Sequence, residues 1–161
     1  MQRVAPLKLA QGILCGSWAL AFPFDWARQI VDQFELSPLP RSPGWLLGAA
    51  NVDGSILPVI DLTAYLTGTA PSASRQQRLL IGGLSTEQSS ADTTGDAIAI
   101  AFEGLPQQLG YERRELSYAG ALPLRLRELC IGVGSNDSGQ EFLEIDTQRL
   151  FLVLSDELAQ T

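Results

Sequence analysis

Apolar residues fall in short runs separated by Gly, Pro, Asn and Asp, the pattern of a chain built from many short strands. Gly12 to Phe24 holds two such runs, around Ile13-Leu14 and from Trp18 to Phe22, parted at Gly16-Ser17, and reads as a β-hairpin. Pro23 has no amide hydrogen, so it ends the ladder or confines it to an edge. Asp25 is placed to cap a short helical or extended segment, Trp26 to Asp32. Pro38, Pro40 and Pro43 then impose a stiff loop. Leu46, Leu47, Ala49 and Ala50 form an apolar strand, Asp53-Gly54 a hairpin turn, and Ser55 to Ile60 the return strand, with Pro58 marking an edge or bulge. Asp61 is positioned to cap a short helix, Thr63 to Leu66.

The second half is less regular. Thr67 to Gln77 reads as a linker, Arg78 to Gly82 as a strand, Ser85 to Asp96 as a polar loop and Asp96 to Phe102 as a buried strand. Leu122 to Leu129 alternates Leu with Arg, which predicts a half-buried strand. Cys130 to Val133 and Glu141 to Ile145 flank a hairpin tip, Asn136 to Gly139. Asp146 is set to cap a last helix, Gln148 to Leu154. Residues 1–10 read as a loose arm and 11–161 as a single domain. No repeat at a fixed period is visible. Turns at this density predict small barrels.

Composition narrows the function. The chain has 161 residues, 45% of them apolar and 18% charged, which is a globular composition. Eleven basic against 18 acidic residues leave a formal net charge of -7, and no basic stripe for nucleic acid or an anionic membrane surface. No apolar run approaches the roughly 18 residues that span a bilayer, and the first residues lack the build of a signal peptide. The expected location is the cytoplasm. Cys15 and Cys130 follow no disulfide framework and read as small apolar residues in a reducing compartment.

Chemistry is hard to place. The chain contains no histidine, which removes the commonest general base and metal ligand. Ser17, Ser55 and Ser135 therefore lack an activating partner, and the single lysine, Lys8, lies in the expected arm. Asp92 and Asp96 lack the oxygens of a calcium loop, and Gly132-Val133-Gly134 lacks the spacing of a phosphate cradle. Asp53-Gly54-Ser55 reverses the Asp-Thr/Ser-Gly order of an aspartic protease half-site. No cofactor, metal or catalytic residue is expected. A carboxylate-dependent hydrolase would need Asp53 in a cleft beside a second acid.

The segment Leu39 to Leu62, and within it Gly48, Asn51, Gly54, Pro58, Val59, Asp61 and Leu62, resembles the central signature of CheW-like coupling proteins. Gly16 to Pro23, Asp96 to Glu103 and Phe142 to Leu150 are similar to that family in arrangement rather than identity, and Trp45 to Asn51 resembles the pilus-motility, PilI-like branch. The resemblance implies a mainly β fold of two SH3-like five-stranded barrel lobes with short helices. It also implies a non-catalytic adaptor, one surface binding the regulatory domain of a CheA-type histidine kinase and another the cytoplasmic tip of a chemoreceptor. Asp53 stands where that family usually has arginine, a reversal of charge at a hairpin tip expected to face a partner. The partner-binding candidates are Arg41, Trp45, Asn51, Asp53 and Gly54; Trp18 and Trp26 are further anchor candidates, of which Trp18 is more readily accounted for by core packing. The competing expectation is an interaction barrel with an unrelated partner.

Overall fold

The computed structural model describes residues 7–68, 78–83, 97–117 and 119–159. The strands are β1 (Lys8–Cys15), β2 (Trp18–Pro23), β3 (Ala27–Val31), β4 (Leu46–Val52), β5 (Ser55–Ile60), β6 (Arg78–Gly83), β7 (Ala97–Tyr111), β8 (Cys130–Ser135) and β9 (Glu141–Ile145). The helices are α1 (Leu62–Thr67), α2 (Leu124–Leu129) and α3 (Thr147–Ala159), with a 3-10 turn at Ala119–Ala121. The expected linker beyond Gly68, the expected loop Ser85 to Asp96, and residues 1–6 lie outside the described residues.

β7 organises the whole. Its first half pairs with β6 and β5, setting Ile100 opposite Leu80 on one side and Ile60 on the other. Its second half pairs with β1, setting Gly110 opposite Leu9. The strand order is therefore β3-β6-β7-β5-β4 in one lobe and β7-β1-β2-β9-β8 in the other, five strands each with β7 shared. Each lobe closes into a barrel through one reciprocal backbone bridge. Ser37 and Ala49 exchange hydrogen bonds of 2.8 and 2.9 Å, and Arg114 and Val133 exchange bonds of the same lengths. Closure removes the open edges that would otherwise pair with other chains.

The two lobes repeat one unit. β4 and β8 both shift register just before a glycine, between Leu46 and Gly48 and between Cys130 and Gly132. The next residue, Ala49 or Val133, carries the closing bridge. The return strands β5 and β9 end in Ile60-Asp61 and Ile145-Asp146, and each aspartate caps the following helix. The Asp61 amide donates to the Trp45 carbonyl and the Asp146 amide to the Leu129 carbonyl, both at 2.7 Å. No fixed period reveals this in the sequence, because the tips differ: Asp53-Gly54 is a two-residue turn, whereas residues 136–140 make a longer one.

Three apolar clusters follow. Ala50, Val52, Leu57, Val59, Leu79 and Ile81 fill the first barrel. Ala10, Ala21, Leu109, Tyr111 and Phe142 fill the second. The largest lies between the lobes, where Phe22, Ile60, Ile100, Phe102 and Leu143 meet Tyr65 of α1, Leu126 and Leu129 of α2, and Leu150 and Leu154 of α3. The helices thus seal the seam that two barrels leave between them.

Several expectations require correction. Leu122 to Leu129 is not a strand: Leu124–Leu129 is helical, with the Arg127 amide donating to the Pro123 carbonyl at 2.9 Å. Within the helix Leu126 and Leu129, three apart, are buried while Leu124 is 62% exposed; Leu122, also buried, precedes the N-cap, so the alternation of Leu with Arg only mimics a strand. Lys8 to Ala10, expected in a loose arm, pair with Tyr111 to Leu109 of β7. The strand expected to end at Phe102 continues to Tyr111, through a mostly exposed run, Glu103 to Gln108, whose Gly104, Pro106 and two glutamines resemble a loop in sequence. The last helix continues past Leu154 to Ala159. Of the two alternatives for Trp26 to Asp32, helical or extended, the structure shows the extended one, as β3 over Ala27–Val31.

Candidate interaction surface

The β4–β5 tip is a type I′ turn. Asp53 and Gly54 have φ of 53° and 88°, and Val52 faces Ser55 across the two-residue loop. Aspartate tolerates the left-handed region because its short polar side chain suits it, so Asp-Gly is the conformational choice here. Asn51 is exposed, and its Oδ1 accepts the Gly54 amide at 3.0 Å and fixes the turn. Asn51 and Gly54 therefore build the tip, and Asp53 is the side chain the tip displays. The Gln29 Nε2 of β3 approaches Asp53 Oδ2 at 3.4 Å, linking the tip to the neighbouring strand. Ile56 stands 60% exposed beside it. Asp53 is exposed at the tip and bonded to an amide, not buried in a cleft as a hydrolase built on a paired acid would need.

The other candidates separate from the tip. Arg41, exposed with φ of 55°, lies in the proline-containing loop at the opposite end of β4. Leu36 and Leu39 of the same loop are also exposed. Trp45, expected as an anchor for a partner, is instead buried and packs edge-on against Tyr65 with ring centroids 5.4 Å apart. The Arg125 guanidinium covers the other side of this cluster, 4.6 Å from the Tyr65 centroid, and donates to the Tyr65 carbonyl at 2.7 Å. Burial, then the Glu157 charge, pushes the Tyr65 hydroxyl pKa above its ordinary value. Trp26 is likewise buried, stacked on Phe22 at 5.5 Å, and Trp18 is half-buried against the core between the lobes.

Asp61 and Cys15 of the same core are structural. Asp61 Oδ1 accepts the Ala64 amide at 3.0 Å and caps α1. Burial, followed by the Asp61 charge, pushes the Cys15 thiol pKa up to about 12, so it stays protonated and unreactive. Asp61→Ala is expected to lower unfolding stability by about 1–2 kcal/mol, and Asp61→Asn by less, as read from urea titration. Equal loss in both variants would remove the cap from the account. Among the described residues, no group of His, Cys, Asp and Glu is assembled to hold a metal ion.

Two closed five-stranded barrels sharing a strand, with their helices spent on the seam and a hairpin tip left exposed, define a double small-barrel interaction domain. Within that class the chain belongs to the CheW-like domain family, whose model matches residues 12–154. It is 30% identical over 67 residues to Protein FrzA of Myxococcus xanthus, an alignment covering 42% of each chain. Its fold is similar to the crystal structure of the scaffolding protein TtCheW from Thermoanaerobacter tengcongensis, with a TM-score of 0.66 at 14% identity over 88% of this chain and 90% of that one.

Proposed function

We propose that this protein is a non-catalytic cytoplasmic adaptor that couples chemoreceptors to a CheA-type histidine kinase, in flagellar or pilus-driven motility signalling. The observation that carries the reading is the family match across nearly the whole double barrel. The charge balance, the absence of histidine and the exposed tip agree with a protein that works through contacts. In this reading Asp53 and Ile56 form part of the surface presented to the kinase regulatory domain, Arg41 lies on a separate patch, and Asn51 and Gly54 act by holding the tip.

Calorimetric titration with the regulatory domain of each CheA-type kinase of the same organism tests it. The expected result is saturable one-to-one binding to one of them. No binding to any, with the adaptor folded, would overturn the assignment. Against the kinase that binds, Asp53→Asn keeps a residue suited to the turn and removes only the charge, and Asp53→Arg reverses it. Affinity should fall about tenfold or more for Asp53→Arg and by less for Asp53→Asn, because like charges meeting at an interface are costly. Affinities unchanged in both would exclude Asp53 from the interface.

A further inference from the structure

The repeat between the lobes exposes an anomaly. Val59 and Glu144 occupy the same place in the two copies, two residues before the capping aspartate, and both are 0% exposed. The first barrel fills this place with a valine. The second places a carboxylate there, so barrel closure as such does not demand one. Around Glu144 the chain builds a clamp. Tyr111 at the end of β7 donates its hydroxyl at 2.8 Å, and Arg113 donates through Nε at 3.1 Å and again through Nη2 to the other oxygen. The Lys8 ammonium of β1 lies 3.8 Å away. Cys130 of β8 also feels the Glu144 charge, and β2 sets Ala21 opposite it.

β8 is cut to receive this clamp. A Cβ on Gly134 would fall 2.1 Å from the Tyr111 ring, and one on Gly132 would fall 2.5 Å from Arg113 Cγ. The glycine pair that fails as a phosphate cradle thus makes room for two side chains that reach the buried carboxylate. The next residue, Arg114, makes the bridge to Val133 that closes the barrel, and its guanidinium binds Glu141 at 3.1 Å. Leu116 then packs against the core between the lobes, and the chain runs on towards α2.

We infer that Glu144 is a charge-dependent latch: its ionised carboxylate holds residues 112–117 as a strap across the second barrel, and so governs barrel closure and the approach to α2. Burial alone would raise the Glu144 pKa, but the Arg113 and Tyr111 hydrogen bonds, with the Arg113 and Lys8 charges, outweigh it and hold the pKa below its ordinary value. A depressed carboxylate pKa gives stability that is present above the unfolded value and is lost as pH falls through the folded one. The strap therefore stays closed at neutral pH and in mild acid, and releases in acid below the ordinary carboxylate range.

Residue-resolved amide hydrogen exchange, corrected for intrinsic rates, tests the latch on the full chain. The Ser37–Ala49 bridge of the first barrel is the internal control. At neutral pH, Glu144→Gln should speed exchange at the Arg114 and Val133 amides by about tenfold or more and leave Ser37 and Ala49 unchanged. Unchanged protection, or equal loss in both barrels, would overturn the inference. Should that variant fail to fold, Glu144→Val combined with Arg113→Met and Tyr111→Phe gives the second barrel the apolar filling of the first. Strap protection should then be indifferent to acid that opens the wild type. Acid release matching the wild type would equally sink the latch.

Discussion

Gly48→Ala is expected to destabilise the protein by about 3 kcal/mol, lowering its melting temperature by roughly 6–12 °C. Gly48 has φ of 151°, and a Cβ there would sit 2.5 Å from the Ser37 carbonyl oxygen and 3.1 Å from its carbon. Backbone atoms cannot rotate aside as a side-chain end can, and Ser37 is fixed by the reciprocal bonds to Ala49 that close the first barrel. The methyl group must therefore break the closing bridge or displace β4. Two other glycines separate space from conformation. Gly54→Ala, with φ of 88° and open surroundings, carries only a conformational penalty of about 1 kcal/mol. Gly44→Ala, with nothing near its Cβ, should be close to neutral. Urea titrations with unchanged slope would give this order directly. Gly48→Ala as mild as Gly54→Ala would mean that the bridge does not close the barrel.

That ranking bears on what the chain discloses before it folds. The Gly48 to Leu62 signature is legible because nearly every special residue in it has a local job. Asp53-Gly54 makes the turn, Asn51 ties it, and Asp61 caps α1. Local geometry of this kind is written in residue type and spacing, so the hairpin, the cap and the barrel class can be read directly. The role of Asn51 is harder to read, since a polar residue beside a turn looks the same whether it faces a partner or its own backbone. Trp45 is ambiguous for a related reason: tryptophan serves both cores and interfaces, and only its burial against Tyr65 decides between them.

What sequence does not disclose is long-range. The Glu144 clamp joins residues from β1, β7, the strap and β9, separated by up to 136 positions between Lys8 and Glu144. In β9 the glutamate takes a place that alternation alone would give to an apolar residue. Its bidentate partner Arg113 falls in the charged cluster from Glu112 to Glu115, which reads as a solvated loop, while Tyr111 and Lys8 lie outside that cluster. The repeat itself was within reach. Gly48-Ala49 with Ile60-Asp61 matches Gly132-Val133 with Ile145-Asp146, but the intervals differ by one residue because both tip length and strand length differ between the copies. A search for a constant period passes over a match of that kind.

Leu126→Ala should cost about 3–5 kcal/mol, and Leu124→Ala almost nothing. The pair tests the largest departure from the pattern of the chain. In a strand, Leu122, Leu124 and Leu126 would share one face and be buried alike, and their truncations would cost similar amounts. In the helix the buried residues are Leu126 and Leu129, three apart, with Leu122 buried just before the N-cap, and Leu124 is exposed. Leu126 is fully buried where α2 meets the core between the lobes, among side chains contributed by both barrels and all three helices. Such a site collapses poorly around a missing side chain, because the surrounding strands are fixed by their ladders, so the cavity left behind adds to the lost transfer energy. Pro123 sits at the N-cap, where its carbonyl accepts the Arg127 amide and opens the first turn. Arg125 and Arg127 then emerge on the sides of the turn, where they bind the Tyr65 and Leu122 carbonyls. Equal losses at Leu124 and Leu126 would restore the strand and undo the seam as described. The expected inequality would show that one face of the six-residue helix, and not an alternating strand face, is buried in the core between the lobes.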